Sequence, residues 1–333
     1  MRHTSATAAL LATAVIGGLG IIPTTAHAQA GSSEARAAWI KSCDDKKNEA
    51  GYACGHWQLV MRDGRKIAVK DAAANGVDGK GRKVEYAGLF AISGDGHVIA
   101  YERARDHRIV VRGTTGGPVK VLAASLVPKR YGTDSASLYL SPKGDRLLID
   151  HTDDHERVPG KVVTIATGKV VQVPAMGEVR GFSADGDEVL TKDYNSDNTS
   201  TLIAYRADGG SVKRTPPQVV ANAALTTLAA DGKTVAVIVS GDEDAKKAPR
   251  LRIYDLETGD LSAGVDLALK PGQTPYLARW SGDGQLTVFL QSGEYGTTAV
   301  VRVLTADVRT GAVTRTDRYS ISKTRYTFSV AGE

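Results

Sequence analysis

From about residue 57 onward the chain is a succession of short apolar runs separated by glycine-containing turns. Examples are Val98-Ile99-Ala100-Tyr101, Arg146-Leu147-Leu148-Ile149 and Thr234-Val235-Ala236-Val237-Ile238. Runs of this length, rich in β-branched residues and bounded by turn residues, predict strands. No stretch after residue 56 carries the i, i+3, i+4 apolar spacing of an amphipathic helix. The helix-capable material is confined to Ser33–Ser42, ahead of the first repeat.

The turns themselves repeat. One series reads Phe90-Ala91-Ile92-Ser93-Gly94-Asp95-Gly96, Leu138-Tyr139-Leu140-Ser141-Pro142-Lys143-Gly144, Gly181-Phe182-Ser183-Ala184-Asp185-Gly186, Thr227-Leu228-Ala229-Ala230-Asp231-Gly232 and Ala278-Arg279-Trp280-Ser281-Gly282-Asp283-Gly284. A second falls between its members, clearest in Ile253-Tyr254-Asp255-Leu256-Glu257-Thr258-Gly259 and Thr305-Ala306-Asp307-Val308-Arg309-Thr310-Gly311, with weaker copies ending at Gly64, Gly116, Gly168 and Gly209. Glycine tolerates the positive φ that tight turns demand, and aspartate bonds its own backbone there. Two alternating hairpin turns every ~47 residues describe a four-stranded antiparallel meander repeated along the chain.

Such a repeat is an all-β fold, a single β-propeller. The spacing from Gly64 to Gly332 corresponds to about 5.7 repeats, which points to six blades, with five and seven as alternatives. A ring of sheets must join its last blade to its first, because an open sheet leaves an unpaired edge. Trp57–Val69 matches the outer two strands of a blade and Tyr326–Gly332 one more innermost strand. The N- and C-terminal strands are therefore expected to share a blade, residues 45–56 being the candidate for its missing second strand.

Ser141-Pro142-Lys143-Gly144 and Tyr254-Asp255-Leu256-Glu257-Thr258-Gly259 resemble the repeat of TolB-like propellers. The resemblance covers residues 57–333 and implies a propeller fold. It does not extend to the family's Tol–Pal partnership, because only some 26 residues separate the expected signal segment from the first strand where TolB carries an α/β domain. The Trp-Asp dipeptide of the WD type is absent.

Residues 1–30 read as a secretory signal peptide. Arg2 and His3 open it, an apolar stretch from Ala8 to Ile22 follows, and small residues precede Ala28 and Ala30, after either of which cleavage is expected. The formal net charge is +5, and loss of Arg2 leaves a mild excess of +4. Cys43 and Cys54 are the only cysteines. In an exported chain they are expected to pair, within an N-terminal extension spanning residues 31–56. The remainder, 57–333, is the propeller. The expected location is extracellular or cell-wall associated, as a monomer with no membrane insertion after cleavage.

In a meander lettered A to D from the axis outward, A–B and C–D turns share one face, and the longer B–C and D–A loops share the other. Binding residues on a rigid scaffold favour such loops. Three B–C loops are rich in polar groups, and they supply the candidate partner-binding residues: Asp153, Asp154 and His155; Asp193, Asn195 and Asp197; Asp242 and Asp244. The middle loop has the D-x-N-x-D spacing of a Ca²⁺ loop. Asn198 replaces the required glycine and Ala204 the bidentate acid, so no cofactor is assigned, Ca²⁺ being the one considered. His155-Glu156-Arg157-Val158-Pro159 starts like H-E-x-x-H, but proline stands in the place of the second histidine.

No G-x-S-x-G elbow or P-loop occurs. The basic stretch from Arg62 to Lys83 is interleaved with Asp63, Asp71 and Asp78 and lacks stacking aromatics, so no nucleic-acid partner is expected. The reading is a secreted, non-enzymatic propeller that binds a protein or cell-wall glycan through its B–C/D–A face, with no catalytic residue assigned. Its alternative is a hydrolase or lyase whose site is built from the same loops, drawing on Asp153, His155, Asp193 and Asp242.

Overall fold

In the computed structural model the described residues are 33–44, 51–151, 158–174, 177–206, 208–282 and 284–333, all within one compact unit, Ser32–Glu333. Residues 1–30, expected to be a signal peptide, lie outside them. The described residues form six four-stranded antiparallel sheets and one two-stranded pair. In order from the innermost strand, sheet 1 is Arg325–Val330, Ala35–Asp44, Gly51–Met61 and Lys66–Val69. Sheet 2 is Phe90–Ile92, Val98–Glu102, Ile109–Gly113 and Gly116–Val121. Sheet 3 is Ala136–Leu140, Arg146–His151, Gly160–Thr164 and Val170–Val173.

Sheet 4 comprises Glu178–Phe182, Glu188–Tyr194, Ser200–Arg206 and Ser211–Arg214. Sheet 5 comprises Leu225–Leu228, Thr234–Val239, Arg250–Asp255 and Val265–Asp266. Sheet 6 comprises Leu277–Gly282, Gln285–Ser292, Ala299–Asp307 and Val313–Ile321. Six buried clusters lie between consecutive sheets. The last of them joins Phe289, Val301 and Ile321 of sheet 6 to Ala37, Val60 and Val330 of sheet 1, so each sheet packs on two neighbours. This is a propeller.

Sheet 1 draws on both ends of the described chain: Ala37 to Lys41 pair with Val330 back to Arg325. Its second strand is Ala35–Asp44, which corrects the expectation of a helix over Ser33–Ser42 and of a second strand from residues 45–56. The physical reason is burial on both faces. Ala38 and Ile40 join the cluster shared with sheet 2, and Ala37 joins the one shared with sheet 6. A strand covered on both sides loses its apolar–polar alternation, and small alanines, good helix formers in isolation, let two neighbouring sheets approach it. The first described strand of the propeller is therefore Ala35–Asp44, and the described residues 35–44 and 51–56 of the expected extension belong to it.

Cys43 and Cys54 are disulfide-bonded, across adjacent strands of that same sheet. A second unexpected element is the hairpin Asn75–Val77/Lys83–Ala87 between sheets 1 and 2, which occupies the basic stretch. There Arg65 pairs with Asp63 and Arg82 with Asp78, each at 2.6 Å.

The turn series have distinct bonding. In the A–B turns, Ser93, Ser141 and Ser183 are fully buried. Each hydroxyl donates to an aspartate, Asp95, Asp145 or Asp185, and accepts the N–H that begins the next strand, of Val98, Arg146 or Glu188. In the C–D turns, Asp255 accepts the N–H groups of Glu257 and Thr258, and Asp307 those of Arg309 and Thr310. Gly259 and Gly311 close these turns at φ of 86° and 71°, where a side chain is strained.

Two outcomes follow. Replacing both cysteines by alanine lowers the unfolding free energy by about 2–3 kcal/mol in a denaturant titration, the value for so short a loop. Backbone N–H donors hold Asp255 and Asp307 below the ordinary carboxylate value of 3.8. Their contribution is therefore complete above that value and is lost as pH falls through the lower folded pKa. Denaturation midpoints measured between about pH 6 and pH 2 should drop in the acid limb, and Asp255→Asn with Asp307→Asn should flatten that drop.

Candidate functional site

On the B–C/D–A face a cavity of about 410 Å³ lies beside sheet 2. Three segments build it: the inserted hairpin through Val77 and Lys80, the B–C loop Asp106–Ile109, and the D–A link through Ala124, Val127, Pro128 and Thr133. Its lining is mainly apolar, with Val77, Ile109, Val127 and Pro128 drawn from all three segments, and carries polar groups such as His107 and Thr133. The hairpin is held to the link by Thr133, whose Oγ1 accepts the Val77 N–H at 2.9 Å, while the Thr133 N–H donates to the Val77 carbonyl at 2.8 Å.

His107 lines this cavity. The loop carrying it is tight: the Arg103 N–H donates to the Arg108 carbonyl, the His107 N–H donates to the Arg103 carbonyl, and Arg103 pairs with Asp106 at 2.6 Å. His107 sits at φ 53°, a left-handed conformation unusual for a residue with a side chain. The strain is matched by a specific bond, His107 Nδ1 to Glu102 Oε1 at 2.5 Å. Glu102 ends the second strand of sheet 2 and its side chain is 0% exposed.

Two further donors hold that carboxylate, Thr133 Oγ1 at 2.8 Å and the Leu89 N–H at 3.2 Å. Burial pushes the Glu102 carboxyl above its ordinary range, and the bonds from His107, Thr133 and Leu89 pull the other way. With Nδ1 tied back to a buried acid, the ring orientation is fixed and Nε2 is left for a ligand or a proton. The same tethering orients histidines in metal and acid–base sites generally.

The loop residues expected from sequence occupy separate positions. Asp153, Asp154 and His155 lie outside the described residues. Asp193 accepts the Gly177 N–H at 2.6 Å. Asn195 donates to Thr199 Oγ1, and Asp197 accepts from the Thr199 N–H and hydroxyl, at 2.8, 3.0 and 2.6 Å. The hydroxyl and backbone bonds from Thr199 hold the Asp197 carboxyl below its usual range. Asp242 accepts the Ala245 N–H at 2.8 Å, and Asp244 is exposed.

Asn195 and Asp197 are thus engaged in their own turn and Asp193 with Gly177 outside it, and among the described residues no group of three His, Cys, Asp or Glu side chains is gathered for a metal. Neither Glu102 nor His107 was singled out by sequence reasoning. Their spacing matches no motif, and only the depth of Glu102 and the inserted hairpin, visible in three dimensions, give them significance.

No family model matches the chain, and no curated protein matches it. Solved structures do. One from a nidogen/laminin complex is 11% identical, with 89% of this chain and 98% of that one covered and a TM-score of 0.47. TolB from Acinetobacter baumannii is 16% identical over 84% of this chain and 65% of its own, with a TM-score of 0.45. The β-propeller domain of the trilobed protease from Pyrococcus furiosus is 13% identical over 85% and 80%, with a TM-score of 0.48.

Removing the Glu102 carboxylate strands three donors at once. Glu102→Ala is expected to lower stability by about 3–5 kcal/mol, read by denaturant titration. Glu102→Gln keeps one accepting oxygen, which can serve Thr133 and His107 at the Oε1 position, but sets its NH2 against the Leu89 N–H, and it is expected to lose less than Glu102→Ala does.

Proposed function

We propose that the protein is a secreted, non-enzymatic propeller that binds a protein or cell-wall glycan partner through its B–C/D–A loop face. The observation that carries this reading is the 410 Å³ cavity. A four-stranded meander needs no inserted hairpin between sheets 1 and 2, yet here the hairpin builds one wall of a mainly apolar recess that also carries polar groups. Recesses of that character accept a projecting side chain or sugar. Asp193, Asn195, Asp197, Asp242 and Asp244 are proposed as further contact residues of that face, as are Asp153, Asp154 and His155, which lie outside the described residues. The Cys43–Cys54 disulfide is compatible with an oxidising compartment outside the cytoplasm.

The His107–Glu102 pair favours a second reading, a hydrolase or lyase in which His107 acts as general base on water. Of the residues expected for that role from sequence, Asp193 and Asp242 bond to separate loops, and Asp153 and His155 lie outside the described residues.

Binding and catalysis separate in one set of variants. Immobilised protein lacking residues 1–30 is used to capture partners from culture supernatant and from a cell-wall glycan array. Val127→Asp, which places a charge on the apolar wall, should weaken capture about tenfold or more while leaving the circular dichroism spectrum unchanged. If capture is absent and a substrate is turned over in a His107-dependent way, the binding reading is wrong and the enzymatic one stands.

A further inference from the structure

The opposite face, where A–B turns surround the axis, has a wide mouth of about 950 Å³. Beside it, between sheets 6 and 1, is a cavity of about 380 Å³. Gly94, Asp95, Arg279, Ser281 and Thr287 line both, so Arg279 stands in the wall between them. Arg279 projects from the innermost strand of sheet 6, with its guanidinium 5.5 Å from the centroid of Phe289.

Its Nη1 is buried without a hydrogen-bond partner. The other cations of the cavity are answered by acids: Arg36 by Asp317 at 3.2 Å, and Arg62 by Glu34 and, at 3.8 Å, by Asp317. Asp95 is engaged by the Ser93 hydroxyl and the His97 N–H. Among the described residues no ion pair reaches Arg279. Enclosure pushes its pKa down to about 10, and the guanidinium still carries its charge at neutral pH. Arg36 Nε is likewise buried without a partner.

Gly94 makes room for this arrangement. A Cβ there would fall 2.6 Å from Arg279 Nη1 and 3.0 Å from the Pro142 Cα, and Gly94 is not among the residues with positive φ. Close approach, not backbone conformation, is what requires a glycine at that position. A buried cation that no acceptor meets is costly, and an oxyanion is the natural complement of a guanidinium fork.

We propose that this wall is a binding site for an oxyanionic group, phosphate, sulfate or carboxylate, held by Arg279 and Arg36 and by the hydroxyls of Ser281, Thr287 and Thr305 around the cavity. The wide axial mouth leaves space for the remainder of a larger ligand. The site lies on the face opposite the loop-face cavity and is independent of the function proposed there.

The test uses the protein lacking residues 1–30, titrated with inorganic phosphate, sulfate and acetate at ionic strength held constant with chloride. Melting temperature and calorimetry are followed. A saturable rise with phosphate or sulfate assigns the site to tetrahedral oxyanions, and a rise with acetate alone assigns it to carboxylates. Arg279→Met should melt higher than wild type without added anion, because it removes the unanswered cation, and should lose the anion response.

Arg279→Lys, which keeps charge but not the fork, should bind about tenfold more weakly. Absence of a saturable response to all three anions in the wild-type protein overturns the proposal, as does a response that survives in Arg279→Met. If Arg279→Met fails to fold, the wild-type titration and Arg279→Lys decide.

Discussion

The pairing of Arg325–Val330 with Ala35–Asp44 is the constraint on which the rest of the structure depends. Each of the six sheets is too small to bury its own faces, and each does so only against two neighbours. Were the innermost strand of sheet 1 missing, sheets 6 and 2 would both lose part of the surface they pack on, and the edge of Ala35–Asp44 would stand unpaired. The disulfide reinforces this sheet and no other, tying the second strand to the third near their outer ends. Phe90, stacked on Trp57 at 4.6 Å and on Tyr101 at 5.9 Å, carries the closing sheet's packing into sheet 2.

Closure also sets where chemistry can arise. On the A–B face the turns are short and their serines and aspartates are occupied in holding the next strand, so polar groups there are mostly satisfied. Arg279 is the departure from that rule, and it stands at the junction of sheets 6 and 1. On the other face, extra chain between sheets 1 and 2 makes a hairpin that walls a recess beside the strained His107 of the sheet 2 B–C loop. Both departures from the repeat therefore flank the sheet that joins the two ends.

Much of the fold was legible because turn chemistry is local. A glycine at positive φ directly after an aspartate or lysine leaves its mark whatever surrounds it, and Gly96, Gly144, Gly186 and Gly232 mark the period directly. The shared sheet was legible in outline from Trp57–Val69 and Tyr326–Gly332. Its second strand was misplaced because Ala35–Asp44 is covered on both faces, which erases the alternation that identifies strands and leaves an alanine-rich segment resembling a helix. Disulfide pairing was legible from the count of two cysteines. The recess was not, since Glu102, His107 and Thr133 come together only when the D–A link folds back over the B–C loop, and a buried acid looks no different in sequence from an exposed one. The acidic loops attracted attention for their composition, yet Asp197 and Asp242 bond to their own loops and Asp193 to the Gly177 N–H in the link before sheet 4.

The most direct measurement is of the strand pairing itself. Ala38 and Ser329 are cross-strand partners in sheet 1, so the double variant Ala38→Cys, Ser329→Cys, in a background where Cys43 and Cys54 are alanine, is oxidised under native conditions and analysed by mass spectrometry and non-reducing electrophoresis. The account predicts an intramolecular disulfide linking the two ends of the domain, formed before unfolding and absent when oxidation is carried out in denaturant. Free thiols in the folded protein, or only intermolecular products, would contradict it.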